Sequence, residues 1–208
     1  MNDLDAEELF YLAMKASDEG NREKTISLLK QSIAREPQAN ALYILGAEYA
    51  ELGMNKRAID LISRALTLDP SLETARFQLG LLYMANSLLA DARTAFEPLL
   101  ELETDAYLYQ FAFGMSHLLD DDADAAIACL QQGIELNQEN EALNRDMRNV
   151  IAEVKSINQA DLTNDDFYSE AMTAIKAAPK PTAEKPRASA ADRTHLLVSK
   201  YGDSEGKV

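Results

Sequence analysis

The sequence predicts an all-α fold, a solenoid of helix–turn–helix repeats closed by C-terminal helices, and three observations lead there. Eight Gly and six Pro in 208 residues, beside frequent Ala, Leu, Glu and Lys, favour long helices joined by short turns. Small residues recur at Ala13, Gly46, Gly80 and Gly114, at intervals of 33, 34 and 34. The row Thr25, Ala58, Ala92, Ala126 and the bulky row Leu29, Ile62, Phe96, Leu130 keep the same intervals, a period that marks stacked supersecondary units. Finally, Leu143, Met147, Val150, Ile151, Val154 and Ile157 form one apolar stripe at helical spacing.

Each unit reads as a helix, a short break and a second helix. A small residue on each helix lets the two backbones approach, and the bulky row fills the space around the contact. The first unit, about residues 6–38, has Leu9, Leu12 and Ala13 on its first helix. Gly20 falls at its break, where a residue free to take positive φ ends a helix, and Pro37 stops the second helix. The second, 39–72, carries Leu42, Leu45, Gly46, Tyr49, Gly53, Ala58, Ile62, Ala65 and Pro70.

The third unit, 73–106, keeps Leu79, Gly80, Tyr83, Ala92 and Phe96 but lacks the closing Pro and has Pro98 inside its second helix. The bond from residue 98 back to residue 94 cannot form there, so the helix should bend. The fourth, 107–140, keeps Phe113, Gly114, Ala126 and Leu130, with His117 where Tyr49 and Tyr83 stand and Gln138 in place of Pro. It opens in DAYLYQFAFGM, whose Tyr107, Tyr109, Phe111 and Phe113 alternate as in a strand. The longer period assigns this stretch to a helix, with Tyr107 toward the helix start, Tyr109 toward the preceding unit or solvent, and Phe113 in the repeat core beside Gly114.

With these residues in register, the chain resembles a tetratricopeptide repeat (TPR) protein, over about residues 6–140 and most closely at 39–72. The family's unit of about 34 residues has the same small, aromatic, Ala, bulky and Pro positions. The first unit departs from it with Ala16 at the aromatic position and Thr25 at the Ala position.

Residues 141–157 read as a capping helix over the open end of the stack, because Arg148 at the small position rules out a fifth repeat. A further helix is expected over 165–178, capped by Thr163 or Asn164 with Phe167, Ala171 and Ile175 inward, so that 141–178 completes the helical body. Pro179, Pro181 and Pro186 then mark 179–208 as an extended linker and flexible tail, and its apolar island Leu196, Leu197 and Val198 resembles a short docking motif.

The family resemblance implies a peptide-binding groove on the face formed by the first helices. Its groove-facing positions hold Phe10, Met14, Tyr43, Ala47, Phe77, Leu81, Met84, Phe111, Met115 and Leu118. Aromatic anchors and flexible Met side chains suit an amphipathic helix or an apolar segment of a partner protein. The family's carboxylate clamp for chaperone tails is excluded, because its Lys, Asn and Arg slots hold Phe10, Met14, Ile44, Thr74 and Gln78. The groove chemistry is similar instead to bacterial TPR chaperones and adaptors, type III secretion translocator chaperones among them. Two further roles stay open: a passive assembly adaptor, and a regulatory adaptor whose groove is filled by its own C-terminal tail. The sequence also leaves room for a homodimer.

Charge narrows the partners. The net charge of −15 repels nucleic acid and anionic membranes, whereas residues 179–208 carry six basic and four acidic side chains, a sign opposite to the rest. The acidic start MNDLDAEELF lacks a signal peptide's pattern and no run of about 18 apolar residues exists, so a cytoplasmic protein without membrane insertion is expected. The single Cys129 precludes an internal disulfide framework and reads as a small apolar group on a packed helix.

No Gly-rich phosphate loop, paired metal ligands or nucleophile with a base can be assembled, so no catalytic residue, metal or cofactor is expected. His117 takes a packed aromatic's place and His195 lies in the tail. Asp120, Asp122 and Asp124 imitate the start of a calcium loop, yet the central Gly is missing and Gln131 stands where the closing Glu belongs. They read as caps for the helix that follows.

Overall fold

A computed structural model describes residues 4–160 of the chain. The expected helix at 165–178, the linker, His195 and the island Leu196, Leu197 and Val198 lie outside the described residues. The described residues hold nine α-helices, one 3₁₀ helix and no strand. The fold is all-α and of the TPR solenoid type. The described residues divide into two compact units, with the chain passing from the first to the second between Ala75 and Arg76.

The first unit contains α1 (Ala6–Asp18), α2 (Arg22–Arg35), α3 (Ala39–Glu51) and α4 (Asn55–Leu68). Asp5 starts α1 through a capping box: its Oδ1 accepts from Glu8 N at 2.8 Å, and Glu8 Oε2 accepts from Asp5 N at 3.0 Å. α1 packs on α2, α2 on α3, and α3 on α4. The α3–α4 contact is close because Gly46 has no Cβ: one placed there would lie 2.6 Å from Ile62 Cγ1 and 3.3 Å from the Ala58 carbonyl. Thr25, standing where Ala58 stands in the next pair, is fully buried and its hydroxyl donates to the Asn21 carbonyl at 3.0 Å. Ser32 is likewise buried and donates to the Ala6 carbonyl at 2.8 Å.

The second unit contains most of α5 (Glu73–Ala85), then α6 (Leu89–Phe96), the 3₁₀ helix Glu97–Glu101, α7 (Tyr107–Leu119), α8 (Ala123–Leu136) and α9 (Glu141–Ala160). Pro98 does interrupt its helix, and the outcome is a change of helix type rather than a bend within one: α6 ends at Phe96 and the chain tightens. A Cβ on Gly80 would lie 2.2 Å from Phe96 Cε1, and one on Gly114 2.9 Å from Leu130 Cγ, so the small-against-bulky pairing recurs. α9 buries Leu143, Met147, Val150, Ile151 and Val154.

Helix ends follow the 33- and 34-residue period as well. Gly20 and Gly53 take φ of +71° at the breaks, and Ser87 and Asp121 take the same left-handed conformation at the equivalent places, with φ of +60° and +59°. Where the fourth unit lacks Pro, Asn137, Asn140 and Asn144 make the turn into α9. Asn140 Oδ1 accepts from Leu143 N at 3.0 Å, and Asn137 Oδ1 from Asn140 N at 3.0 Å.

Candidate functional site

The site predicted from sequence is the face formed by the first helix of each pair, α1, α3, α5 and α7. In the first unit, Phe10 and Met14 on α1 and Ala47 on α3 are half-buried, while Tyr43 is buried. Phe10 and Met14 lie one turn apart, so a ring and a thioether share one side of α1, next to the side carrying buried Leu9, Ala13 and Ala16.

The second unit revises the expectation of an open aromatic groove. Phe77, Met84, Phe111, Met115 and Leu118 are buried in its core, and of the predicted residues there only Leu81 keeps partial exposure. The Phe77 ring stands 5.6 Å from that of Phe96 and 5.9 Å from that of Phe111, centroid to centroid, and Tyr107 meets Phe111 edge-on at 5.8 Å. The physical reason is Gly133 on α8: a Cβ at that position would lie 2.4 Å from Phe111 Cδ1. Sequence reasoning passed over this glycine. Its signal was available, since a Gly in the middle of a helix costs stability unless something packs on it.

Phe113 is the converse correction. Expected in the core beside Gly114, it is 36% exposed and belongs to an outer row with Tyr109, at 5.6 Å, and His117, at 4.5 Å. His117 Nδ1 stands 3.5 Å from Asp122 Oδ2, a contact that ties the end of α7 to the start of α8.

The acidic run is engaged in capping and pairing. Asp122 Oδ1 accepts from Ala125 N at 3.1 Å, and Arg93 donates to Asp120 Oδ1 at 2.6 Å and to the Leu119 carbonyl at 2.7 Å. No group of three His, Cys, Asp or Glu side chains is placed to hold a metal ion among the described residues. Burial, and then the nearby Asp122 carboxylate, push the Cys129 thiol above its ordinary range, which keeps it protonated and a poor nucleophile at neutral pH. No helix among the described residues is long and apolar enough to cross a membrane.

A family model described as tetratricopeptide repeat matches residues 39–72. Among solved structures, a crystal structure of MamA is 24% identical over 63% of this chain and 77% of that one, with a TM-score of 0.53. MamA 41-end from Desulfovibrio magneticus RS-1 is 17% identical and covers 83% of this chain and 93% of its own, with a TM-score of 0.55. Identities this low show a likeness of fold. No curated protein matches the sequence.

Proposed function

We infer, from the premise that the chain is a tetratricopeptide repeat protein and so a protein-interaction scaffold, that it binds an apolar or amphipathic segment of a partner protein on the first-helix face of its first unit. The observation that carries this reading is the half-burial of Phe10, Met14 and Ala47. Apolar side chains left half in water gain from a partner that completes their burial, about 1 kcal/mol for each 40 Å² covered. A thioether beside a ring adapts to differing apolar contours. The chain's acidity favours a segment with basic flanks, and the reading assigns the protein no chemistry of its own.

Shielding an apolar segment of a client, as a chaperone does, is the use that fits an adaptable surface best. A photo-crosslinking residue at Met14, compared with one at the exposed Glu23 of α2, tests the site. Met14 should capture a partner segment that Glu23 does not, and Ala47→Glu should abolish capture with helicity unchanged. The same partners captured from both positions would defeat the proposal. Crosslinks to residues 179–208 of the chain itself would show the groove filled by its own tail.

A further inference from the structure

Between α3 and α4 the first unit has a shallow pocket of about 380 Å³, lined by Leu45, Tyr49, Lys56, Arg57, Asp60 and Leu61. The two leucines and the tyrosine are buried, whereas Lys56 and Arg57 are exposed. Arg57 Cζ lies 5.7 Å from the Tyr49 ring centroid, and Lys30 Nζ of α2 lies 5.7 Å from the same centroid. None of Lys30, Lys56 and Arg57 has a carboxylate partner among the described residues. Asp60, the one acid in the lining, pairs with Arg64 at 3.7 Å. A chain of net charge −15 thus gathers three unpaired cations around one ring.

Tyr49 itself points to what is missing. It is 8% exposed, and its hydroxyl makes no hydrogen bond to any described residue. A buried hydroxyl without a partner carries a cost that a ligand oxygen removes. The start of α4 is open as well: Met54 at the N-cap makes no side-chain hydrogen bond, and the first turn holds Lys56 and Arg57 with no acid, a placement the helix dipole opposes. The second helices of the other pairs, α2, α6 and α8, carry Glu23, Asp91 and Asp124 in that turn. One repeat on, Tyr83 stands where Tyr49 does, but Ser63, Ala90 and Asp91 replace Lys30, Lys56 and Arg57, so the repeat fold does not require the cations.

We propose that this pocket binds an acidic segment of a partner protein, with one carboxylate side chain seated among Lys30, Lys56 and Arg57 and accepting a hydrogen bond from the Tyr49 hydroxyl. Charge-assisted hydrogen bonds of this kind are the strong ones. The apolar floor of Leu45, Leu61 and the ring suits a carboxylate carried on methylenes, as in glutamate, better than a bare inorganic anion. The chain as a whole repels an acidic ligand, so contacts at the pocket alone must hold it, and the selectivity for this spot follows. The pocket uses none of Phe10, Met14 and Ala47, and its ligand has the opposite charge to the basic-flanked segment inferred for that face.

The full chain is titrated with a labelled peptide of alternating glutamate and leucine, followed by fluorescence anisotropy. Saturable binding is expected, weakened about tenfold or more by Arg57→Glu or Lys56→Glu and about threefold by Tyr49→Phe, while Lys15→Glu on α1 changes it little. The same peptide with glutamine for glutamate should not bind. Lys56 and Arg57 are exposed, so their variants keep the fold, and Tyr49→Phe should leave the thermal midpoint unchanged or raise it, because the hydroxyl it removes has no partner. Absence of saturable binding, binding of the glutamine peptide, equal losses from Lys15→Glu and Arg57→Glu, or full affinity or a lowered midpoint with Tyr49→Phe would overturn the proposal. So would displacement of the peptide by equimolar inorganic phosphate, which would make the pocket a simple anion site, and sedimentation showing a wild-type dimer that Arg57→Glu converts to monomer, since a second copy would then supply the acid.

Discussion

Asn137 and Asn144 hold each other across the turn between α8 and α9: the Asn137 side-chain amide donates to Asn144 Oδ1 at 2.8 Å, and the Asn144 amide donates to the Asn137 carbonyl at 2.8 Å. Asn137 Nδ2 also donates to the Asn140 carbonyl at 3.1 Å, and all three asparagines are buried. Helix α9 is therefore fixed by a satisfied polar cluster as well as by its apolar stripe. Removing Asn144 takes one partner from the buried Asn137 side-chain amide and one from the Asn137 carbonyl, so Asn144→Ala should lower stability by about 1 to 3 kcal/mol. Asn137→Ala should cost more, and the double variant less than the sum. Urea unfolding of the three variants measures this, and strict additivity would show that the residues act separately.

Gly80→Ala should be costly for a steric reason. The added methyl would stand within 2.7 Å of three atoms of the fully buried Phe96 ring, and no flexible chain end is available to yield. A loss of about 1 to 3 kcal/mol is expected, with partial recovery on adding Phe96→Leu. Thermal unfolding of the pair tests whether the ring is the obstacle.

The four helix breaks predict opposite effects of the same type of change. Gly20→Ala and Gly53→Ala meet no atom within 4 Å, so their cost, about 1 kcal/mol, comes from the left-handed backbone alone. Ser87→Gly and Asp121→Gly remove that strain and should stabilise by about 0.5 to 1 kcal/mol. Denaturant midpoints that move the wrong way at Ser87 would contradict the assigned φ.

The repeat spacing made much of this fold legible. Rows separated by 33 and 34 residues located the helix pairs, and the clash geometry at Gly46, Gly80 and Gly114 shows the packing that the small and bulky rows imply. The site was less legible. A register assigns Phe111 to a face, but whether that face is open depends on its neighbour, and Gly133, 22 residues on, admits the ring to the core. Ser87 and Asp121 escaped notice because they adopt a conformation expected of Gly, and the asparagine cluster because a buried polar group has no periodic signature.

Phe111→Ala is accordingly predicted to be a stability change first, with a loss of about 3 to 5 kcal/mol, whereas Tyr11→Ala should stay within about 0.5 kcal/mol of wild type. Calorimetry of both variants distinguishes a core ring from a surface ring without any partner present.

The exposed pair on α9 predicts a modest pH dependence. Hydrogen bonding from Arg148 to Glu141, at 2.7 Å, holds the carboxyl below its ordinary range. A group lowered in the folded state adds stability above its unfolded value and loses it as pH falls through the folded one. Arg148→Met should therefore be slightly less stable than wild type at pH 7, with the gap closing in acid; a gap unchanged by acid would assign it to something other than this pair.

The 3₁₀ segment at Pro98 has a consequence for how the second unit opens to solvent. Pro98 offers no amide, and the bond closing the segment, from Leu102 N to the Leu99 carbonyl, is long at 3.4 Å. Leu99 itself is buried, whereas Glu101 after it is exposed and Leu100 and Leu102 are half-buried. Amide protons from Leu100 to Leu102 should exchange with deuterium well before those of α7 and α8, making this short stretch the seam along which the unit first breathes.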